Sequence, residues 1–91
     1  MTEPTDNFNR YRIMDDNRKK QLDQISARAS INVNKWGHQP LATLGLVAAE
    51  EMGEVCQAIL QWQHENGNKN RIFEEARDLA AACLQILNHE S

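Results

Sequence analysis

Apolar residues recur at steps of three and four in the first half of the chain, as expected for one face of an α-helix. This pattern predicts a first helix that begins near residue 16. Gly37 suits the left-handed backbone position that follows a helix, and Pro40 cannot continue a helix but can open the next one. The apolar stripe of the first predicted helix consists of Leu22, Ile25, Ala29, Val33 and Trp36.

A second stripe predicts a helix from about Pro40 to Glu65. The segment Glu-Asn-Gly-Asn-Lys-Asn ends it, with Gly67 as the terminator and Asn70 as the cap of the next helix. The stripe consists of Leu44, Val47, Ala48, Val55, Ala58, Ile59 and Trp62.

The third apolar stripe predicts a helix that ends close to the end of the chain. Its members are Ile72, Ala76, Leu79, Cys83, Ile86 and Leu87. Strand-like alternation and internal repeats are absent from the sequence, so the predicted class is all-α. We expect a flexible N-terminal segment over residues 1–15 and a single helical domain over residues 16–91.

Chain length adds an expectation about assembly. A chain of 91 residues, 41% of them hydrophobic, buries only about two-thirds of its unfolded surface. The short link between the second and third helices predicts an antiparallel helical hairpin. Two such hairpins would form a four-helix bundle, so we expect a homodimer or a homotetramer.

Charge and composition narrow the possible partners. The net charge is −3 and the basic residues are scattered, which argues against a nucleic-acid partner. Neither a membrane span nor a secretory signal is evident in the sequence, so we expect a cytoplasmic protein. Cys56 and Cys83 lack zinc-type spacing, and we expect them to be packing residues rather than a disulfide.

Carboxylates interrupt the second stripe. With Leu44 at 0° and about 100° per residue, Glu51 falls at about −20°, in the centre of the stripe. Glu54 lies at its edge and Glu50 beyond it. Burying a carboxylate is costly unless an opposite charge is present, and no Lys or Arg lies three or four positions from Glu51.

The third helix repeats this arrangement at one rim of its stripe, where Glu75 and Asp78 are three residues apart. If the two rims meet in the hairpin, four carboxylates converge and repel one another. A hard divalent cation removes that repulsion, and oxygen-only ligands favour Mg²⁺, with Mn²⁺ as the alternative, over zinc. The ordinary alternative is a solvated acidic face with salt bridges, which we accept for Glu50 and Glu74 only.

The motif Glu50-Glu51-x-x-Glu54, followed after 20 residues by Glu75-x-x-Asp78, resembles the signature of the all-α nucleoside triphosphate pyrophosphohydrolases, the MazG-like family. The resemblance covers about residues 20–88. It implies a Mg²⁺-dependent hydrolase that releases a nucleoside monophosphate and pyrophosphate, in a role such as nucleotide-pool house-cleaning. It also implies that the carboxylates after Glu50 ligate the metal and that Glu50 orients water. The implied ligands are Glu51, Glu54, Glu75 and Asp78.

The sequence indicates the substrate-binding residues less clearly than the metal ligands. Members of the family that this sequence resembles commonly continue into a further helix with basic and amide side chains, whereas this sequence ends at Ser91. We expect a second subunit, or basic residues of this chain, to supply those contacts. Trp36 is a candidate for stacking on a nucleobase, although its place in the stripe favours a core position. The candidate substrate-binding residues are Lys35, Trp36, His38, Lys69 and Arg71.

Two alternatives remain open. Phosphoribosyl-ATP pyrophosphohydrolase, from the same superfamily, usually has a Lys shortly before the double Glu, where residues 46–49 are Leu-Val-Ala-Ala here. The second alternative, of another class, is a non-catalytic helical oligomerisation or regulatory module on the same scaffold. Metal-dependent release of pyrophosphate would distinguish the enzyme from the module.

Overall fold

The computed structural model describes the backbone of residues 4–89 and the side chains of residues 14–89. Three helices follow one another in the chain: α1 (Pro4–Trp36), α2 (Leu41–His64) and α3 (Lys69–Leu87). The described residues contain no strand. The prediction of an all-α fold is therefore confirmed. None of the described helices combines the length and the hydropathy needed to cross a membrane.

Helix α1 begins earlier than predicted. Its backbone is helical from Pro4, so residues 4–15, for which we expected a flexible segment, are part of the helix, and residues 1–3 lie outside the described residues. Proline is tolerated at the first helical position because that N–H has no helical partner in any case. No Gly or Pro follows until Gly37. A polar sequence without helix breakers can thus extend a helix beyond its apolar stripe.

Two tight turns separate the helices, and each uses a residue with a left-handed backbone. Gly37 has a φ of 75° and its N–H donates to the carbonyl of Val33 at 2.8 Å, as predicted. At the second turn the left-handed residue is Asn66, with a φ of 54°, and the N–H of Gly67 donates to the carbonyl of Gln61 at 3.0 Å. A Cβ at Gly67 would lie 2.9 Å from the backbone carbon of Gln61, so close approach explains this glycine.

The N-cap of α3 lies two residues before Asn70, the residue predicted for this position. Asn68 is the N-cap, and its side chain accepts a hydrogen bond from the N–H of Asn70 at 2.9 Å. Both asparagines suit a helix start by sequence, and the position of the preceding turn decides between them.

Helix α3 is the central helix. Helix α2 packs against it in the antiparallel sense, since residue 61 near the end of α2 meets Arg71 at the start of α3. Helix α1 packs on α3 in the parallel sense, where Gln21 meets Arg77 and Asn32 meets Gln85. Among the described residues, helices α1 and α2 do not pack on each other. The hairpin of α2 and α3 has the predicted form.

The core of this single chain is small and rich in alanine. Of the apolar stripe predicted for α2, Leu44, Val55 and Ala58 are buried, whereas Val47, Ile59 and Trp62 are 37%, 37% and 42% exposed. Trp36 is also exposed, which contradicts a core position, and both cysteines are free and exposed, which contradicts a packing role. The buried apolar residues are Ala29, Leu44, Val55, Ala58, Ala81 and Ala82.

The stripe predicted for α3 is not its most buried face. Ala76, Cys83 and Leu87 are exposed, whereas Ala81 and Ala82 are fully covered. The reason is that α3 lies between two other helices, and small side chains allow both of them to approach closely. Glu75 and Asp78 lie on the same side of α3 as the covered alanines. Glu75 and Asp78, which were predicted to lie at the rim of the buried side of α3, therefore lie near its centre.

Candidate metal centre

Three carboxylates from two helices meet at the α2–α3 contact. Glu51 comes from the middle of the inner face of α2, one turn before the buried Val55. Glu75 and Asp78 come from consecutive turns of α3 and are half-buried like Glu51. One carboxylate oxygen of each residue lies within 4.8 Å of those of the other two. The prediction that acids from both helices converge is thus confirmed for these three residues.

The electrostatics of this acidic cluster (Glu51, Glu75 and Asp78) centre on Glu51. Burial raises the pKa of Glu51 above its ordinary value of 4.5, and the negative charges of Asp78, Glu75, Glu54 and Glu50 raise this pKa further. Within residues 14–89, Glu51 forms no ion pair with a Lys, Arg or His. Its ionised form therefore lacks a counter-charge from the described side chains.

Two arginines supply counter-charges to the other acids. Arg71 lies between the helices, 3.9 Å from the carboxylate of Glu54 and 3.8 Å from that of Glu75, and it also donates to the side-chain oxygen of Gln61. Arg28 of α1 donates to the carboxylate of Asp78. These pairs are partly exposed, so solvent screens them.

The donor set fits a hard divalent cation. All three groups offer carboxylate oxygens and no nitrogen or sulfur, as Mg²⁺ and Mn²⁺ prefer. Oxygens around Mg²⁺, each about 2.1 Å from the metal, lie about 3–4 Å apart, so small side-chain rotations within the cluster would suffice. A raised pKa of Glu51 without a cationic partner is the condition that a bound cation would relieve.

The remaining predicted acids are outside this cluster. Glu54 lies beside it, paired with Arg71 rather than grouped with the other three carboxylates. Glu50 and Glu74 are exposed to solvent. Of the four predicted ligands, the structure groups three, and it places Glu54 close enough to contribute to the raised pKa of Glu51.

Of the predicted substrate-binding residues, the structure brings only Arg71 to the acids. Lys35 and Trp36 are exposed, with the Lys35 ammonium 5.0 Å from the centre of the Trp36 ring. Lys69 lies 5.3 Å from the centre of the Trp62 ring. His38 lines a groove instead.

That groove lies between the end of α1, the start of α2 and the end of α3. It has a volume of about 760 Å³, and Leu44 and Leu84 form part of its lining. Leu44 is seven residues before Glu51, so the groove begins about 10 Å from the acidic cluster along α2. The Nδ1 atom of His89, also in the lining, is buried and has no hydrogen-bond partner among the described residues.

Arg28 was not among the residues predicted for the site. A signal for it exists, since Gln21, Arg28 and Asn32 are spaced by seven and four residues and so lie along one side of the apolar stripe of α1. All three side chains contact α3. Which helix they would face could not be read from the spacing.

Comparisons of the chain with protein-family models, with curated proteins and with solved structures found no match in any of the three.

Proposed function

We propose that this protein is a divalent-cation-dependent nucleoside triphosphate pyrophosphohydrolase of the MazG-like type. The observation that carries the proposal is the acidic cluster, in which Glu51 has a raised pKa and no cationic partner among the described residues. The spacing of the acids along the chain, which resembles that family's motif, adds support. Mg²⁺ is the proposed cation, with Mn²⁺ as a substitute, and the proposed location is the cytoplasm.

Each group near the cluster has a role in this proposal. Glu51, Glu75 and Asp78 hold the cation, which when bound neutralises the triphosphate and lowers the pKa of a water molecule. Glu54 and Glu50 orient that water by hydrogen bonding. Arg71, already beside Glu54 and Glu75, offers a planar donor group that suits phosphate oxygens.

The reaction consumes one water molecule. Its oxygen bonds to the α-phosphorus, the bond from that phosphorus to the oxygen bridging to the β-phosphorus breaks, and the products are a nucleoside monophosphate and pyrophosphate. The nucleoside then occupies the groove lined by His38, which begins about 10 Å from the acids. Lys35 and Trp36, which are outside the groove lining, are proposed to contact substrate only if another subunit brings them near the site.

The test is a panel of ribo- and deoxyribonucleoside triphosphates and phosphoribosyl-ATP, each incubated with the full chain and Mg²⁺ or Mn²⁺. Equal amounts of monophosphate and pyrophosphate are expected from at least one substrate. In ¹⁸O-labelled water the label should enter the monophosphate, because water attacks the α-phosphorus. Orthophosphate as the first product, label in pyrophosphate, or no turnover of any substrate would refute the proposal.

We also propose that the protein forms a homodimer through α2, or a homotetramer built from such dimers. One exposed side of α2, the outer face, contains no charged residue, and the exposed Glu50 and His64 border it. All of its members are exposed: Leu41, Ala42, Gly45, Leu46, Ala49, Met52, Gly53, Cys56, Ile59, Leu60 and Gln63.

The area and shape of the single chain support this assembly. Its accessible surface is 7238 Å², whereas a globular monomer of this mass exposes about 5,400 Å². Its radius of gyration is 16.6 Å, against about 12 Å for a compact domain of this length. Exposed apolar side chains such as Leu46 and Leu60 place part of this surface on the outer face, and a standard interface needs roughly 800 Å² per partner. An uncharged outer face also lets two copies meet without like-charge repulsion.

The outer face is also the observation that favours the second candidate function, a non-catalytic oligomerisation module. Such a module would use this face and leave the acidic cluster as a structural feature. Association without any triphosphate turnover would identify it.

A further inference from the structure

Helix α1 is attached to the rest of the molecule by a narrow contact. In the part of the chain that the structure describes, it packs on α3 and not on α2. Ala29 is its buried residue within positions 14–36, and Ile25 and Val33 are half-buried beside it. Within residues 14–36 the covered apolar area is small, so polar contacts contribute to the attachment beside it.

The polar contacts between α1 and α3 differ in charge. Gln21 accepts from Arg77 at 2.9 Å, and the amides of Asn32 and Gln85 are 3.4 Å apart. Arg28 with Asp78 is the pair in which both partners are charged, and both side chains are partly buried. The Arg28–Asp78 pair is therefore the contact of α1 that depends most on the charge state of α3.

Asp78 belongs at the same time to the acidic cluster. A divalent cation held by the cluster would take an oxygen of Asp78, or at least place two positive charges beside the Arg28 guanidinium. Both effects weaken the Arg28–Asp78 pair, because the carboxylate is shared and the two cations repel each other.

We propose that Arg28 is a displaceable counter-ion of the acidic cluster, so that binding of a divalent cation loosens α1 from α3. The proposal rests on the cation site of the proposed function and adds a regulation to it. By linkage the effect is reciprocal: the factor by which the cation favours release of α1 equals the factor by which release of α1 tightens cation binding. Cation occupancy and the docking of α1 therefore oppose each other.

The first measurement is the affinity of the metal-free full chain for Mn²⁺, by titration calorimetry, in the wild type, Arg28→Gln and Arg28→Lys. Arg28→Gln should bind Mn²⁺ at least about fivefold more tightly, the lower end of typical coupling between sites. Arg28→Lys keeps the counter-charge and should remain near the wild type.

Arg77→Gln is the matched control. It removes one positive charge at the residue next to Asp78 and one α1–α3 hydrogen bond, but Arg77 contacts Gln21 rather than an acid of the cluster. Its Mn²⁺ affinity should change much less than that of Arg28→Gln. Equal changes of Mn²⁺ affinity in the two variants would show that the effect comes from the lost positive charge alone, and they would overturn the proposal.

The second measurement is amide hydrogen exchange over residues 25–36 with and without saturating Mn²⁺. A detached helix is marginally stable in water, so Mn²⁺ should speed exchange in this segment of the wild type by about fivefold or more. In Arg28→Gln exchange should be fast already and respond little to Mn²⁺. Slower or unchanged exchange in the wild type on adding Mn²⁺ would overturn the proposal.

The two proposals fail in different ways. Binding of Mn²⁺ without coupling to Arg28 or α1 would refute the counter-ion role and leave the proposed function standing. Absence of Mn²⁺ binding in the wild type and in every variant would refute both. Binding in Arg28→Gln but not in the wild type would support the counter-ion role while refuting a cation-dependent activity of the native chain.

Discussion

The inner and outer faces of helix α2 are each incomplete, for opposite reasons. On the inner face, Glu51 is half-buried against α3, and two further carboxylates lie close to it. On the outer face, Leu46 is 73% exposed and Leu60 is 56% exposed, with no charged residue along that face. The inner face has an excess of charge where water is partly excluded, and the outer face has apolar surface in water.

One helix can therefore require two different partners. Converging carboxylates are stabilised by positive charge, which the cluster lacks at Glu51 among the described residues. Exposed contiguous apolar surface is stabilised by another apolar surface. We therefore expect cation binding to depend on the inner face and association to depend on the outer face, and the following experiments separate the two.

The largest expected effect is on activity. Glu51→Gln keeps the size of the side chain but removes the charge that faces Glu75 and Asp78, so cation-dependent turnover should fall by at least about 100-fold. Glu74→Gln is the matched control, since Glu74 carries the same charge, is exposed and has no role in the proposed site, and it should reduce turnover far less. Equal losses in the two variants would argue against a special role of the inner face.

The next effect is on association. Ala49→Arg places a charge in the middle of the outer face, and burying that charge unpaired in an interface should raise the dimer dissociation constant by more than about 100-fold. Gln24→Arg adds the same charge at an exposed position of α1 and should leave association unchanged. Sedimentation or light scattering at micromolar concentration measures both. A wild-type chain that is monomeric there would remove the proposed dimer.

The third effect is on the pH dependence of stability. Because the pKa of folded Glu51 is raised, the metal-free folded state binds more protons than the unfolded state between the ordinary value of 4.5 and the raised value. This contribution to the free energy of unfolding is fully present below pH 4.5 and is lost as pH rises through the raised pKa. Mg²⁺ should restore the stability at high pH, because it binds the folded state.

Thermal melts at pH 5 and pH 8, with and without Mg²⁺, check this expectation. Glu51→Gln should be at least as stable as the wild type at pH 8 without metal and should gain little from Mg²⁺. Glu50→Gln should retain most of the pH dependence, since Glu50 contributes least to the raised pKa of Glu51. A metal-free Glu51→Gln variant destabilised by several kcal/mol would instead show that Glu51 makes a structural hydrogen bond or ion pair.

The smallest effect concerns the glycines of the outer face. A Cβ at Gly53 meets nothing within 4 Å, so Gly53→Ala should stabilise an isolated chain by about 1 kcal/mol through helix propensity. If a second α2 helix packs on this face, the added methyl separates the helices and weakens association. Urea unfolding should therefore be measured at protein concentrations well below and well above the dimer dissociation constant. Gly53→Ala should raise the free energy of unfolding at the low concentration and leave it unchanged at the high concentration.

Local sequence signals were sufficient for much of the fold. The end of α1 at Gly37 and the bounds of α2 depend on backbone preferences within a few residues of each turn, and these preferences can be read directly. The central place of Glu51 on the inner face follows from helical periodicity alone. The convergence of Glu51 with Glu75 and Asp78 could also be predicted. Helical periodicity places these acids on the facing sides of α2 and α3, and a short turn brings the two helices together.

Tertiary structure decided what lies opposite each helix face. The sequence does not reveal that α3 is central, so neither the burial of Ala81 and Ala82 nor the exposure of Leu87 could be foreseen. It also does not reveal which arginine meets which acid: Arg28 is 50 residues from Asp78, and no local pattern encodes that distance. Helical periodicity determines where a side chain points, whereas the packing of helices far apart in the sequence determines what the side chain contacts.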